Sequence, residues 1–232
     1  EAGADTGYVE TLDGASGHAV IQIDESGQNN IIICGGTNRK ITREYISSVL
    51  EHFGKGDLIL LQNEISNIDF AMEEAKKRGL QVAFNPSPAD EGVFLCDLEL
   101  VDYFILNEVE GRILAGTDSE EPAPILKALR EKYKNAAFVL TLGDQGAWYC
   151  DPEETSFQDI FRVEAVDTTA AGDTFCGSSL NYLLEHGIEN LTEEQLGEMM
   201  TFANAAAALI TTRKGAIRSM PEKEEVLEVI GQ

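Results

Sequence analysis

The chain has 232 residues, 43% of them apolar, with 41 acidic against 17 basic side chains and a formal charge of −24. Such a chain can bury the core of one α/β domain, while its charge opposes binding to nucleic acid and leaves small phosphates, held by backbone amides and a few local cations, as anionic partners. No run of about 18 uncharged apolar residues offers a membrane span, and the N-terminus lacks the basic start and apolar stretch of a secretory signal, so a cytoplasmic protein is the default.

Along the chain, Ala19–Ile23 and Asn30–Cys34 are β-rich runs separated by the turn formers Asp24 to Asn29, which predicts a β-hairpin. From about residue 40 the pattern alternates. Leu58–Gln62, Gln81–Asn85, Tyr103–Leu106 and Phe138–Leu142 read as buried strands, and Ile68 to Arg78 reads as a helix stopped by Gly79. This alternation predicts a parallel sheet with helices on both faces. Farther on, Cys176, Leu180, Leu183 and Leu184 are expected to form one helix face. Thr192-x-x-Gln195 opens an Ala-rich helix to Thr212, with Gly215 suited to its C-cap. The simplest organisation is a small β segment over 1–38 and an α/β core over 39–232.

Several motifs sit at the predicted junctions. Asn107-Glu108-Val109-Glu110 follows a strand and opens a helix, the spacing of a capping box. Its place at the carboxyl end of a predicted parallel strand also suits a ligand site, and its oxygen groups suit Mg²⁺. Thr141-Leu142-Gly143-Asp144-Gln145-Gly146 joins a strand to the apolar run Ala147–Cys150. It is either a tight turn or a phosphate loop, and it lacks the Lys-Ser/Thr ending of a Walker loop. In Val166 to Phe175, small residues and a carboxylate fall where a loop becomes a helix. Free amides there can hold an anion beside Asp173, although Gly172-Asp173 also reads as an ordinary helix start. Asn204 is a polar side chain on an apolar helix face, ordinarily a satisfied core amide. Cys34, Cys96, Cys150 and Cys176 form no Cys-x-x-Cys pair, so neither a zinc site nor a disulfide framework is expected. His18, His52 and His186 are scattered and read as surface residues.

The run Asp167-Thr168-Thr169-Ala170-Ala171-Gly172-Asp173, followed by Phe175 and Gly177, resembles the signature of the ribokinase-like (PfkB) carbohydrate kinases. Most of that family has Gly where this chain has Ala170. The resemblance implies a Rossmann-like three-layer α/β sandwich with a mostly parallel central sheet and a small β lid, which the hairpin would supply. It implies Asp173 as general base, with Ala170 and the amides of Ala171, Gly172 and Asp173 forming an anion hole. ATP would be lined by Asn107, Glu110, Thr141, Leu142, Gly143, Asp144, Gln145, Gly146, Gly172 and Asn204, the last beside the adenine, and Glu110 would serve Mg²⁺. Asp167, Thr169, Arg213, Gly215 and Ser219 match a monovalent-cation (K⁺) site, Arg213 and Gly215 through their carbonyls.

Glu64 and Asp173 would hold the sugar. Asn85-Pro86-Ser87-Pro88-Ala89 matches a turn that shapes the site. The expected partners are a small sugar and ATP, with a homodimer through the lid, and the expected reaction is phosphorylation of D-ribose to ribose 5-phosphate. Alternatives are another sugar or nucleoside, such as fructose or adenosine, and a catalytically impaired nucleotide-binding module. The last follows from two family features not found in this sequence: an N-terminal strand bearing a sugar-gripping Asp, and a Gly-Gly-x-x-x-Asn turn.

Overall fold

In the computed structural model, which describes residues 3–23, 29–187 and 191–231, contacts divide the chain into two units. One comprises Glu1–Val82 and Ser87–Leu100, the other Ala83–Pro86 and Val101–Gln232.

The first unit begins with the expected hairpin. Strands β1 (His18–Ile23) and β2 (Asn29–Cys34) pair antiparallel with His18 opposite Cys34, and the expected turn at 24–28 lies outside the described residues. Helix α1 (Arg43–Leu50) starts where the Thr42 hydroxyl accepts from the Tyr45 amide at 3.1 Å, and it buries Ile46 and Leu50. After β3 (Leu58–Gln62), helix α2 (Ile68–Lys77) buries Ile68, Ala71, Met72 and Ala75, a stripe at helical spacing. Gly79 ends it at φ +82°, a left-handed position that glycine takes without strain.

The strands from β3 onward lie in sheet order β3-β4-β5-β6-β7-β8. Here β4 is Gln81–Asn85, β5 Tyr103–Asn107, β6 Ala137–Thr141, β7 Ala147–Cys150 and β8 Thr155–Gln158. Pairs β4–β5 and β5–β6 are parallel, while β6–β7 and β7–β8 are antiparallel hairpin pairs. With α3 (Glu108–Ala115), α4 (Pro122–Lys132), α5 (Ala171–His186), α6 (Glu193–Thr211) and α7 (Lys223–Ile230), this is the expected α/β class. The second unit has an aromatic row at its heart. Register sets Phe84, Phe104 and Phe138 side by side on three strands, all fully buried, with the rings of Phe104 and Phe138 stacked at 5.3 Å. Such stacking adds about 0.5–1.5 kcal/mol to the gain from burial.

Three local expectations need correction. Strand β6 runs one residue earlier than predicted, and Leu142 instead leads into a short 3₁₀ turn over Gly143–Gln145. Leu184 is 56% exposed, unlike Cys176, Leu180 and Leu183, because one residue past Leu183 is a further 100° around the helix. Helix α6 ends at Thr211 with Thr212 as C-cap, so Gly215, at φ +107°, shapes the loop beyond rather than capping the helix.

Candidate active site

The second unit gathers most of the candidate residues at strand ends and helix starts. Asn107 closes β5 and caps α3: its side chain accepts from the Glu110 amide at 2.9 Å, and Glu110 Oε2 accepts from the Asn107 amide at 2.9 Å. The capping box is therefore real, and it holds Glu110 almost fully buried at the carboxyl end of the parallel strands. Thr141 lies opposite Asn107 on β6 and donates its hydroxyl to the Leu106 carbonyl at 3.2 Å, tying the two strand ends together.

The loop that follows is closed by a bond from the Leu142 amide to the Gly146 carbonyl at 2.8 Å. At Gly146 (φ 98°, ψ −152°) a Cβ would fall 2.3 Å from the Gln158 carbonyl, so only glycine lets the loop lie this close to β8. The Gln158 side chain in turn meets the Thr201 hydroxyl at 3.1 Å, on α6 one turn before Asn204. Asn204 is buried, and its Nδ2 has no hydrogen-bond partner among the described residues. A buried amide donor without an acceptor is costly, which fits a position completed by a bound group. Thr174, one residue after Asp173, has a buried hydroxyl that likewise finds no partner among the described residues, a feature no sequence motif indicated.

The signature loop is clamped to the end of α6. The amides of Val166 and Asp167 both donate to the Thr211 carbonyl, at 2.7 and 3.0 Å. Asp167 Oδ1 accepts from the Thr169 amide and Oδ2 from the Gly215 amide, each at 3.0 Å. Hydrogen bonds from the Thr169 side chain and from these amides hold the Asp167 carboxyl down at about 2. Ser219 donates its hydroxyl to the Lys214 carbonyl at 2.6 Å. Arg213 turns its guanidinium to Glu225 on α7, leaving its carbonyl as its contribution to the loop. The fold thus unites Asp167, Thr169 and the loop of Arg213, Gly215 and Ser219. Its donors are a carboxylate held in its ionised form, a hydroxyl and carbonyls, the oxygen set that suits a weakly hydrated monovalent cation. Glu225 was not visible as a partner because it lies 12 positions away on another helix.

Ala170, at φ 62°, is the left-handed residue that turns this loop into α5. Its carbonyl accepts from the Thr174 amide at 2.9 Å. The Ala171 amide donates to the Thr168 carbonyl at 3.2 Å, so it is engaged rather than free, contrary to the expected three-amide anion hole. Gly172 and Asp173 carry the next first-turn amides, which have no acceptor within the helix. Gly172 has open space over its Cα, and the Asp173 side chain is exposed. Burial pushes the neighbouring Cys176 thiol up to about 12, away from the reactive thiolate form.

Glu64 belongs to the first unit, exposed on the turn after β3. That turn is anchored by buried Asn63, which donates to the Pro88 carbonyl at 2.7 Å and to Asp90 Oδ1 at 2.9 Å. The three histidines are exposed, as expected. Among the described residues no three His, Cys, Asp or Glu side chains converge on a point, so Mg²⁺ here would rest on Glu110 together with phosphates and water, the usual habit of that ion.

The model of the pfkB family carbohydrate kinases matches residues 1–223. A ribokinase of Haemophilus influenzae is 33% identical over 235 residues, 98% of this chain and 74% of that protein. A deoxyribokinase of Salmonella typhi is 31% identical over 233 residues, covering 98% and 74%. The structure of Arabidopsis thaliana ribokinase complexed with ribose and ATP superposes with a TM-score of 0.72 at 29% identity, covering 94% of this chain and 70% of that one. Family model, relatives, fold and signature loop agree: the chain belongs to the pfkB family of carbohydrate kinases, phosphotransferases that act on a sugar hydroxyl.

Proposed function

We propose that this protein transfers the γ-phosphoryl group of ATP to a hydroxyl of D-ribose, giving ribose 5-phosphate. The observation that carries this reading is the start of α5, where exposed Asp173 stands among amides without helical acceptors at the end of a loop clamped by Asp167. Asp173 takes the proton of the attacking hydroxyl, and the amides of Gly172 and Asp173 face the charge that develops on the transferred group. Asn107, Thr141 and residues 142–146 hold the nucleotide, with Asn204 offering its unpaired amide to the base. Mg²⁺ held near Glu110 would neutralise phosphate charge when bound. K⁺ on Asp167, Thr169, Arg213, Gly215 and Ser219 would order the signature loop. Glu64 is proposed as a contact to sugar hydroxyls, and the exposed Val20 and Ile32 of the hairpin as part of a homodimer surface. The ribokinase bound to ribose and ATP supports ribose, while the deoxyribokinase makes deoxyribose the second reading.

Steady-state kinetics of Asp173→Asn test the assignment. Turnover should fall by about 10²-fold or more with nucleotide affinity kept, since removing a base acts on the transition state. Wild-type turnover would remove Asp173 from this role. Ribose and deoxyribose compared by kcat/KM decide the sugar, and exchanging Na⁺ for K⁺ at fixed ionic strength checks the cation site.

A further inference from the structure

A cavity of about 520 Å³ lies between α4 and the β7–β8 hairpin, lined by Trp148 and Cys150 of β7 and by Lys127, Arg130 and Lys134 on the helix side. Strand alternation separates it from the candidate active site. Trp148 pairs with Phe157 and Cys150 with Thr155, whereas Gln158, whose side chain bonds Thr201 of α6, lies opposite Ala147. Trp148 and Cys150 therefore face away from α6 and Asn204. Cys150 also sits opposite Phe138, at the far end of β6 from Thr141 and the loop after it.

The helix side is cationic in a chain with 41 acids and 17 bases. Lys127 and Arg130, three apart on α4, share one side of the helix, and Lys134, in the turn that follows α4, lines the same cavity. Arg130 donates to the Pro152 carbonyl at 3.0 Å and so fixes the hairpin turn against the helix. Lys127 and Lys134 form no ion pair or hydrogen bond with any described residue, and Glu131 is the only acid in the lining. Two unpaired ammonium groups, a guanidinium and an indole that line one concave surface match a compact dianion attached to a flat apolar body.

We propose that this cavity is a second ligand site, which takes a small phosphate monoester with its phosphate between Lys127 and Lys134 and its organic part on Trp148. The proposal does not depend on which sugar the enzyme phosphorylates.

Trp148 is the only tryptophan in the chain, so its emission reports on the cavity. Phenyl phosphate is titrated into the protein with Mg²⁺ and a saturating non-hydrolysable ATP analogue present. A saturable emission change is expected. Inorganic phosphate should bind more weakly, and Lys127→Ala/Lys134→Ala should raise the apparent Kd about tenfold. Should that double variant not fold, Lys127→Gln and Lys134→Gln singly should each raise it about threefold, as loss of one exposed charge contact does. A response that is linear in probe, unchanged by the lysine substitutions, or absent while the ATP analogue is bound would overturn the proposal.

Discussion

Asp167 and Gly215 lie 48 positions apart, and the carboxylate of one accepts the backbone N–H of the other at 3.0 Å. This contact makes one structure of the signature loop and the loop beyond α6. The carboxyl, ordinarily near 3.8, is lowered to about 2. A lowered value means that folding favours the ionised form. The stabilisation is complete above about pH 4 and disappears as pH falls toward about 2. Thermal melts of wild type and Asp167→Asn should differ by a constant margin above pH 5, and that margin should shrink between about pH 4 and 2. A margin independent of pH would mean the charge of Asp167 contributes nothing.

Ala170 adopts a left-handed conformation that costs an L-residue about 1–2 kcal/mol. Glycine removes that strain but adds about 0.4–1 kcal/mol of unfolded-state freedom. Ala170→Gly should therefore leave stability unchanged or raise it by up to about 1.6 kcal/mol, whereas the β-branched Ala170→Val should lower it by more than about 1 kcal/mol. Denaturant midpoints measure both. A destabilised glycine variant would show that the alanine methyl makes contacts that outweigh the strain.

Gly143 and Gly146 bracket the same loop under different constraints. Gly143 has φ 56° and open space around it, so Gly143→Ala should cost only about 1 kcal/mol. At Gly146 a methyl would meet the Gln158 carbonyl at 2.3 Å in a backbone region reserved for glycine. Gly146→Ala should cost more than about 2 kcal/mol and loosen nucleotide binding. Equal midpoints for the two variants would contradict the close approach of loop and strand.

Asn204 carries an unpaired buried amide, so Asn204→Leu should leave the free protein as stable as before or about 1 kcal/mol more stable. If the amide serves the nucleotide, affinity for ATP should fall about tenfold, about 1.4 kcal/mol. Calorimetric titration beside a thermal melt reads both quantities. Lost stability with unchanged affinity would make Asn204 a structural residue.

Where neighbours in sequence carry the interaction, the amino-acid order alone determined the outcome. The capping boxes of Asn107 with Glu110 and Thr192 with Gln195 formed as spaced, because an N-cap and its third helical residue always meet. The alternation of strands and helices, the hairpin pairing and the loop-to-helix junction at Ala171 were legible for the same reason. Helices α1, α4 and α7 and strand β8 are not among the elements expected from the sequence. Even so, Pro122 in the first turn of α4 was a local start signal that could have found that helix. Only the tertiary structure decided which amides of the junction stay free, since Ala171 proved to be engaged by Thr168. It also decided that Asp167 is gripped by Gly215, that Gln158 links the loop to α6, and that Arg213 turns to Glu225. These contacts join residues whose separation along the chain carries no periodic signal, and they exist because packing the helices on the sheet brings distant loops to the same strand ends.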